Sequence, residues 1–254
     1  MRFASLGSGS RGNGTLVEWD GGLVLVDCGF SIKETVHRMA RLGKSPEELS
    51  AVLVTHEHSD HLKGVAPLAR KFGLDVYMTP GTFNSRDIGK LPKLNLIEGH
   101  QAFAIAGLDV QPVAVPHDAR EPAQFVFADR HYSLGILTDL GSITPHVESS
   151  YQACDAMVLE ANHDPTMLAC GPYPASLKQR VGGQWGHLSN QQAAGLLQRL
   201  DVARLQHLVV AHISEKNNSL SIAREALDDV SASAGNVVYA CQDQGFDWLE
   251  LTRS

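Results

Sequence analysis

The sequence predicts a layered α/β protein, and three observations carry that expectation. Short apolar runs such as residues 51–54, 108–115 and 205–211 have the length and composition of strands. Between them lie stretches with apolar residues at helical spacing, as at positions 62, 65, 68, 69 and 72. Polar residues able to do chemistry follow the strands at His56, His117, Asp139, Glu160 and His212. Strand ends are where layered α/β proteins place their sites. The 254 residues are expected to form one domain spanning residues 1–254.

Residues 2–6, 15–19 and 23–26 read as a β-meander, with a glycine-rich loop between the first two strands. Gly7, Gly9 and Gly12 spell G-x-G-x-x-G, and Asp27 lies downstream. A dinucleotide site is excluded, because that fingerprint needs a helix after the glycines and here a strand follows. The loop reads either as a phosphate contact through exposed amides, Ser10 or Asn13, or as a plain hairpin connection. Residues 32–42 predict a helix capped by Ser31. Strand 51–54 then leads through Thr55-His56-Glu57-His58-Ser59-Asp60-His61 into helix 62–72. Further strands are expected at 75–78, 94–97, 108–115, 124–128, 131–138, 155–160, 205–211 and finally 236–240. Helices are expected after Thr79-Pro80 and at 143–151, 190–200 (capped by Ser189) and 219–227.

The turn at 55–61 concentrates four metal-binding side chains. In extended backbone His56 and His58 project to the same side. Asp60 and His61 fall near a helix start, so two ligands face one point and two face another. That pattern suggests two adjacent ions. Composition adds bounds. No long apolar run is present, and no basic-then-apolar leader, so a cytoplasmic chain without a membrane span is expected. Cys28, Cys154, Cys170 and Cys241 are scattered, which reads as buried thiols in a reducing compartment. The formal charge of −7 argues against a broad nucleic-acid-binding face. It does not exclude nucleic acid in a cleft holding two divalent ions, which supply local positive charge.

The ordered set His56, His58, Asp60, His61, His117, Asp139 and His212 resembles the signature of the metallo-β-lactamase superfamily over most of the chain. The resemblance implies a four-layer αβ/βα sandwich with a dinuclear centre. His56, His58 and His117 would hold one metal. Asp60, His61 and His212 would hold the other, with Asp139 bridging. The set has no thiolate, which suits Zn²⁺, Mn²⁺ or Fe. Leu159-Glu160-Ala161-Asn162 and Gly186-His187-Leu188-Ser189 resemble the His-Glu-Ala-Thr and Gly-His-Ser-Thr elements of the tRNA 3′-processing nucleases. Leu159 departs from the first element, and Leu188 is an insertion in the second. Those elements imply that Glu160 orients His187, which protonates the leaving group.

Nearly the full length is similar to the small YycJ/WalJ branch of the superfamily. The likeness runs through residues 5–10, 56–64, 137–141, 159–164, 171–180, 186–190 and 211–218. It implies a metal-dependent 5′-to-3′ DNA exonuclease linked to DNA repair. Asp60, Glu160 and His187 then carry the catalytic expectation, with a metal-bridging hydroxide as nucleophile. Ser10, Asn13, Lys178, Arg180 and Lys216 are candidate substrate contacts, the last three in loops, with DNA preferred over RNA as partner. Asn162 and His163 are candidates to line the site. A small or cyclic-nucleotide phosphodiesterase, an RNA-processing nuclease, a glyoxalase-like thioesterase and a metal-binding module without turnover are the competing readings. The segment after Asn218 is short and not basic, which disfavours the thioesterase.

Overall fold

A computed structural model of the protein describes residues 1–252. Strands β1 (Arg2–Gly7), β2 (Gly14–Trp19) and β3 (Gly22–Val26) form the expected meander. Helix α1 (Ile32–Arg41) follows, then β4 (Ala51–Leu53), α2 (Ser59–Leu62), α3 (Val65–Phe72), β5 (Asp75–Met78), α4 (Pro80–Phe83) and β6 (Lys93–Leu96). The second half begins with β7 (Phe103–Ile105), β8 (Leu108–Ala114), β9 (Ala123–Ala128) and β10 (Ser133–Leu137). It continues with α5 (Pro145–Tyr151), β11 (Ala156–Glu160), α6 (Pro165–Cys170), α7 (Ala175–Val181) and α8 (Asn190–Leu197). It ends with β12 (His207–Ala211), α9 (Leu220–Ser231), β13 (Val237–Tyr239) and β14 (Phe246–Glu250).

The strands make two seven-stranded sheets, ordered β14-β1-β2-β3-β4-β5-β6 and β13-β12-β11-β10-β9-β8-β7. In the first, β14, β1, β2 and β3 pair antiparallel, whereas β3 to β6 run parallel. The second repeats the scheme: β7 to β10 are antiparallel and β10 to β13 parallel. Side chains alternate across each strand. Val24, Val26, Ala51 and Leu53 meet Phe125, Phe127, Val158 and Val209 between the sheets. Leu25 and Val52 face the other way, under Met39 of α1 and Leu68 of α3. Met157, Leu159 and Val210 lie under Tyr151, Leu196 and Leu227 of α5, α8 and α9. The layers are therefore helices, sheet, sheet, helices. This doubly buried arrangement is why β4, β11 and β12 read as continuous apolar runs.

Four expectations are corrected. The helix expected at 62–72 is broken at Gly64, whose amide donates to Cys28 O at 2.7 Å. A Cβ there would lie 2.0 Å from Phe30 O, so the turn can pack this tightly only with glycine. Residues 236–240 are not the last strand, because β14 pairs with β1 and closes the edge of the first sheet. Lys178 and Arg180 lie on α7 rather than in loops. That helix buries none of its residues, so it carries no apolar stripe to read. Cys28 and Cys154 are buried as expected, but Cys170 and Cys241 are exposed, at the end of α6 and in the turn after β13. Among the described residues no helix is long and apolar enough to cross a membrane.

Phe125 is fully buried between the sheets. Phe125→Ala is expected to cost about 3–5 kcal/mol, seen as a lower urea midpoint at unchanged m-value. A midpoint shift worth less than about 1 kcal/mol would contradict this account of the inter-sheet core.

Candidate metal centre and active site

The site lies where the parallel strands of both sheets end. Backbone bonds pin the turn after β4: Asn13 N donates to Asp60 O at 2.8 Å and Cys28 N to His61 O at 2.7 Å. Gly29 fits beneath it because a Cβ would lie 1.8 Å from Asp60 O. From the second sheet come Asp139 after β10, Glu160 at the end of β11 and His212 after β12. Asp139 and His212 adopt left-handed backbone, with φ of 54° each, as does Asp27 at 61° after β3. Such conformations are strained for side-chain-bearing residues and gather at functional sites.

Several overlapping groups of donors converge. His56 Nε2 and His117 Nε2 lie 3.0 and 3.2 Å from His58 Nδ1. Asp60, His61 and His212 form a second group, and Asp139 joins His56 and His61 in a third. His61 Nε2 is 3.4 Å from Asp60 Oδ2 and 3.3 Å from Asp139 Oδ2. Asp139 Oδ2 is itself buried with no hydrogen-bond partner. An orphaned carboxylate oxygen facing imidazole nitrogens is the feature a cation would satisfy. The nitrogen and oxygen donors present therefore fit divalent ions.

The ligand candidates are held from behind. Asp27 Oδ2 lies 2.8 Å from His61 Nδ1 and accepts from Thr55 Oγ1 at 2.8 Å, while its Oδ1 accepts from Thr55 N at 2.9 Å. Thr55 Oγ1 is also 2.9 Å from His56 Nδ1. His117 Nδ1 contacts Gly186 O at 2.9 Å. Such partners fix ring orientation and tautomer. Glu160 is fully buried, with Oε1 2.8 Å from His187 Nδ1 and 3.0 Å from His212 Nδ1. Its Oε2 accepts from Leu188 N at 3.0 Å. The inserted Leu188 thus contributes an amide to Glu160 and buries its side chain under α8.

The charges compensate one another. Burial pushes the Asp139 carboxyl up, and the imidazoles of His212 and His61 more than offset it, holding it well below the usual range. Burial lowers His61, yet Asp139, Asp27 and Asp60 raise it well above an ordinary imidazole. Burial likewise lowers His187, and Glu160 and Asp139 raise it overall. His56, by contrast, is held well below its ordinary value by burial and by His61, so it is a neutral donor.

A cavity of about 330 Å³ opens over this cluster, lined among others by Ser10, Asp60, Asp139, Asn162, Arg180 and His187. Arg180 forms an ion pair across its wall with Asp118. The other proposed contacts sit elsewhere. The Asn13 amide is spent on Gly9 N at 2.8 Å and on Asp60 Oδ2 at 3.2 Å. Lys178 Nζ donates to Ala169 O at 2.6 Å, and Lys178 and His163 line a separate depression. Lys216 is exposed and outside the cavity lining. Sequence reasoning missed Asp27, Thr55 and Asp118. Asp27 carried a usable signal, since it ends an apolar strand as Asp139 does.

The fold and this strand-end cluster define a metallohydrolase of the β-lactamase type. The chain belongs to the beta-lactamase superfamily, whose domain model it matches over residues 23–213. It is 34% identical to the exodeoxyribonuclease WalJ of Streptococcus pneumoniae over 240 residues, 92% of this chain and 89% of that protein. It is equally 34% identical to the exodeoxyribonuclease YycJ of Bacillus anthracis over 239 residues, 92% of this chain and 90% of that one. Among solved structures, the metallo-beta-lactamase fold protein YhfI from Bacillus subtilis shares the fold with a TM-score of 0.74 at 17% identity, covering 98% of this chain and 99% of that chain.

Asp27 sets up a prediction of its own. Asp27→Ala is expected to weaken divalent-ion binding by about 10–100-fold in chelator competition while the chain stays folded. Unchanged affinity in a folded variant would show that the His61 ring needs no such support.

Proposed function

We propose that the protein is a dinuclear-metal phosphodiesterase acting on nucleic acid, and specifically a 5′-to-3′ DNA exonuclease. The observation that carries this reading is the meeting of an all-nitrogen-and-oxygen donor set with a Glu160–His187 pair 2.8 Å apart on the wall of an open cavity. The exodeoxyribonuclease names of the two relatives above support DNA as substrate. His56, His58 and His117 would hold one ion, and Asp60, His61 and His212 the other, with Asp139 shared. Zn²⁺ and Mn²⁺ both suit these donors, as does Fe.

When bound, two divalent ions supply a water nucleophile at neutral pH and offset phosphoryl charge. The residues do the rest. Glu160 anchors His187 through Nδ1, which leaves the other ring nitrogen to give a proton to the departing oxygen. Glu160 and Asp139 outweigh burial and raise the proton affinity of His187 above that of an ordinary imidazole. Arg180 and Ser10 lie on the cavity wall, placed to contact phosphates beside the scissile one. Lys178 and Lys216 would meet only strand extending beyond the cavity. A cavity of about 330 Å³ is at the small end of ligand sites, which suits threading one terminal nucleotide at a time.

The test is digestion of 5′-labelled duplex DNA with added Mn²⁺. Labelled mononucleotides or short oligonucleotides are expected from the wild type and not from Asp139→Ala. An intact duplex with metal-loaded protein would move the assignment to small phosphodiesters. His187→Ala is expected to keep its metal by elemental analysis and lose about 10²–10⁴-fold in kcat. Wild-type turnover in that variant would remove His187 from the acid role.

A further inference from the structure

Trp185 is 62% exposed, yet it stands two residues before His187 in the loop 182–187. Its backbone surroundings are tightly held. Gly186 N donates to Gly183 O at 2.9 Å and His187 N to Val181 O at 2.9 Å. Gln184 O accepts from Ser142 Oγ at 3.1 Å, and Gly186 O meets His117 Nδ1 at 2.9 Å. The chain runs so close to Gly141 that a Cβ there would lie 2.3 Å from Gly186 N. The neighbours on both sides of Trp185 are therefore pinned, and Gly186 and His187 line the cavity.

The ring itself is not engaged. Among the described residues it makes no ring contact or hydrogen bond, unlike the other two tryptophans. Trp19 is buried and donates Nε1 to Ala106 O at 3.2 Å. Trp248 donates Nε1 to Leu42 O at 2.9 Å and carries Arg2 over its ring at 4.4 Å. A single exposed apolar residue is ordinary on a protein surface. A free indole on a braced loop, two residues in sequence before the proposed leaving-group acid and next to the cavity-lining Gly186, is a more specific arrangement.

Charge sharpens it. A formal charge of −7 argues against gripping a strand through a wide basic face. Base–aromatic stacking needs no charge and tolerates any base, because every base has a π-face. We infer that Trp185 is a stacking platform for a nucleobase of single-stranded DNA, on the leaving-group side of the scissile phosphate. This rests on the nuclease reading for its substrate and on the loop geometry for its position. Trp185 touches no reacting atom, so its role is to position the strand.

The experiment compares metal-loaded wild type, Trp185→Phe and Trp185→Ala on oligothymidylate and on the same strand made abasic at its terminal nucleotides. Quenching of tryptophan emission by a phosphorothioate oligothymidylate gives a second readout. In Trp185→Ala, KM should rise on the order of tenfold with kcat little changed. Trp185→Phe should recover most of the loss, and all three proteins should treat the abasic strand alike. Wild-type emission should be quenched, and Trp185→Ala emission should not. An unchanged KM with unchanged quenching overturns the platform and leaves the nuclease reading intact. An equal KM rise on the abasic strand also overturns it, by showing a packing role for the ring. If no strand is cut but wild-type emission alone is quenched, the platform stands and the nuclease reading falls. Neither cleavage nor quenching removes both.

Discussion

The burial of carboxylates at the seam between the two sheets is the constraint on which the rest of the structure depends. Asp27, Asp139 and Glu160 are all buried there. An isolated charge in such a place is prohibitively costly, so each must be paired. Asp27 pairs with His61, and Asp139 and Glu160 pair with His212 and His187. Replacing such a cluster with apolar residues of similar volume is often neutral or stabilising in proteins generally. Its presence is thus poor evidence for stability and better evidence for chemistry. The left-handed backbone at Asp27, Asp139 and His212 points the same way, because strain that the packing must hold is located where donors are aimed.

Topology explains why the donors meet. Each sheet has an antiparallel half, built mostly of strands adjacent in sequence with β14 added at the edge of the first, and a parallel half, whose strands all end on the same side. The side chains between the sheets hold the two parallel halves face to face. Strand ends from β3 and β4 then lie against strand ends from β10, β11 and β12. No sequence repeat accompanies this repeated strand order. The resemblance of the halves is one of connection and packing, which many apolar sequences satisfy equally well.

The residues that end buried strands were the most legible. A run such as Ala156 to Leu159 can only be core, so a charged Glu160 following it has to be compensated by something. Asp27 obeys the same rule, but a glycine-rich loop upstream drew attention to a fingerprint the strands do not support. Less legible were features set by tertiary contact alone. Helix α7 buries nothing, so its sequence shows no stripe. Strand β14 exists because the edge of β1 offers it a partner nearly the whole length of the chain away in sequence, as in the pair Arg2 and Glu250. The Asn13 side chain looked free for a ligand, and only the approach of the His58-to-Leu62 turn reveals that it is already occupied with Asp60.

An acidic protein that handles a polyanion has to concentrate its positive charge. In the proposed reading the ions do this at the base of the cavity, and Arg180 does it at the wall. Arg180 is itself neutralised by Asp118, which also lies 3.4 Å from His117 Nε2. Asp118 therefore ties the Arg180 guanidinium to the ring of a metal-ligand candidate. A phosphate arriving at Arg180 must compete with that carboxylate, so binding there yields less net energy than a free arginine would give. The arrangement favours a ligand whose phosphate reaches Arg180 and the ion site together, because only such a ligand repays the exchange on both sides. Discrimination then comes from geometry at the reacting phosphate, with little drawn from the field of the whole protein.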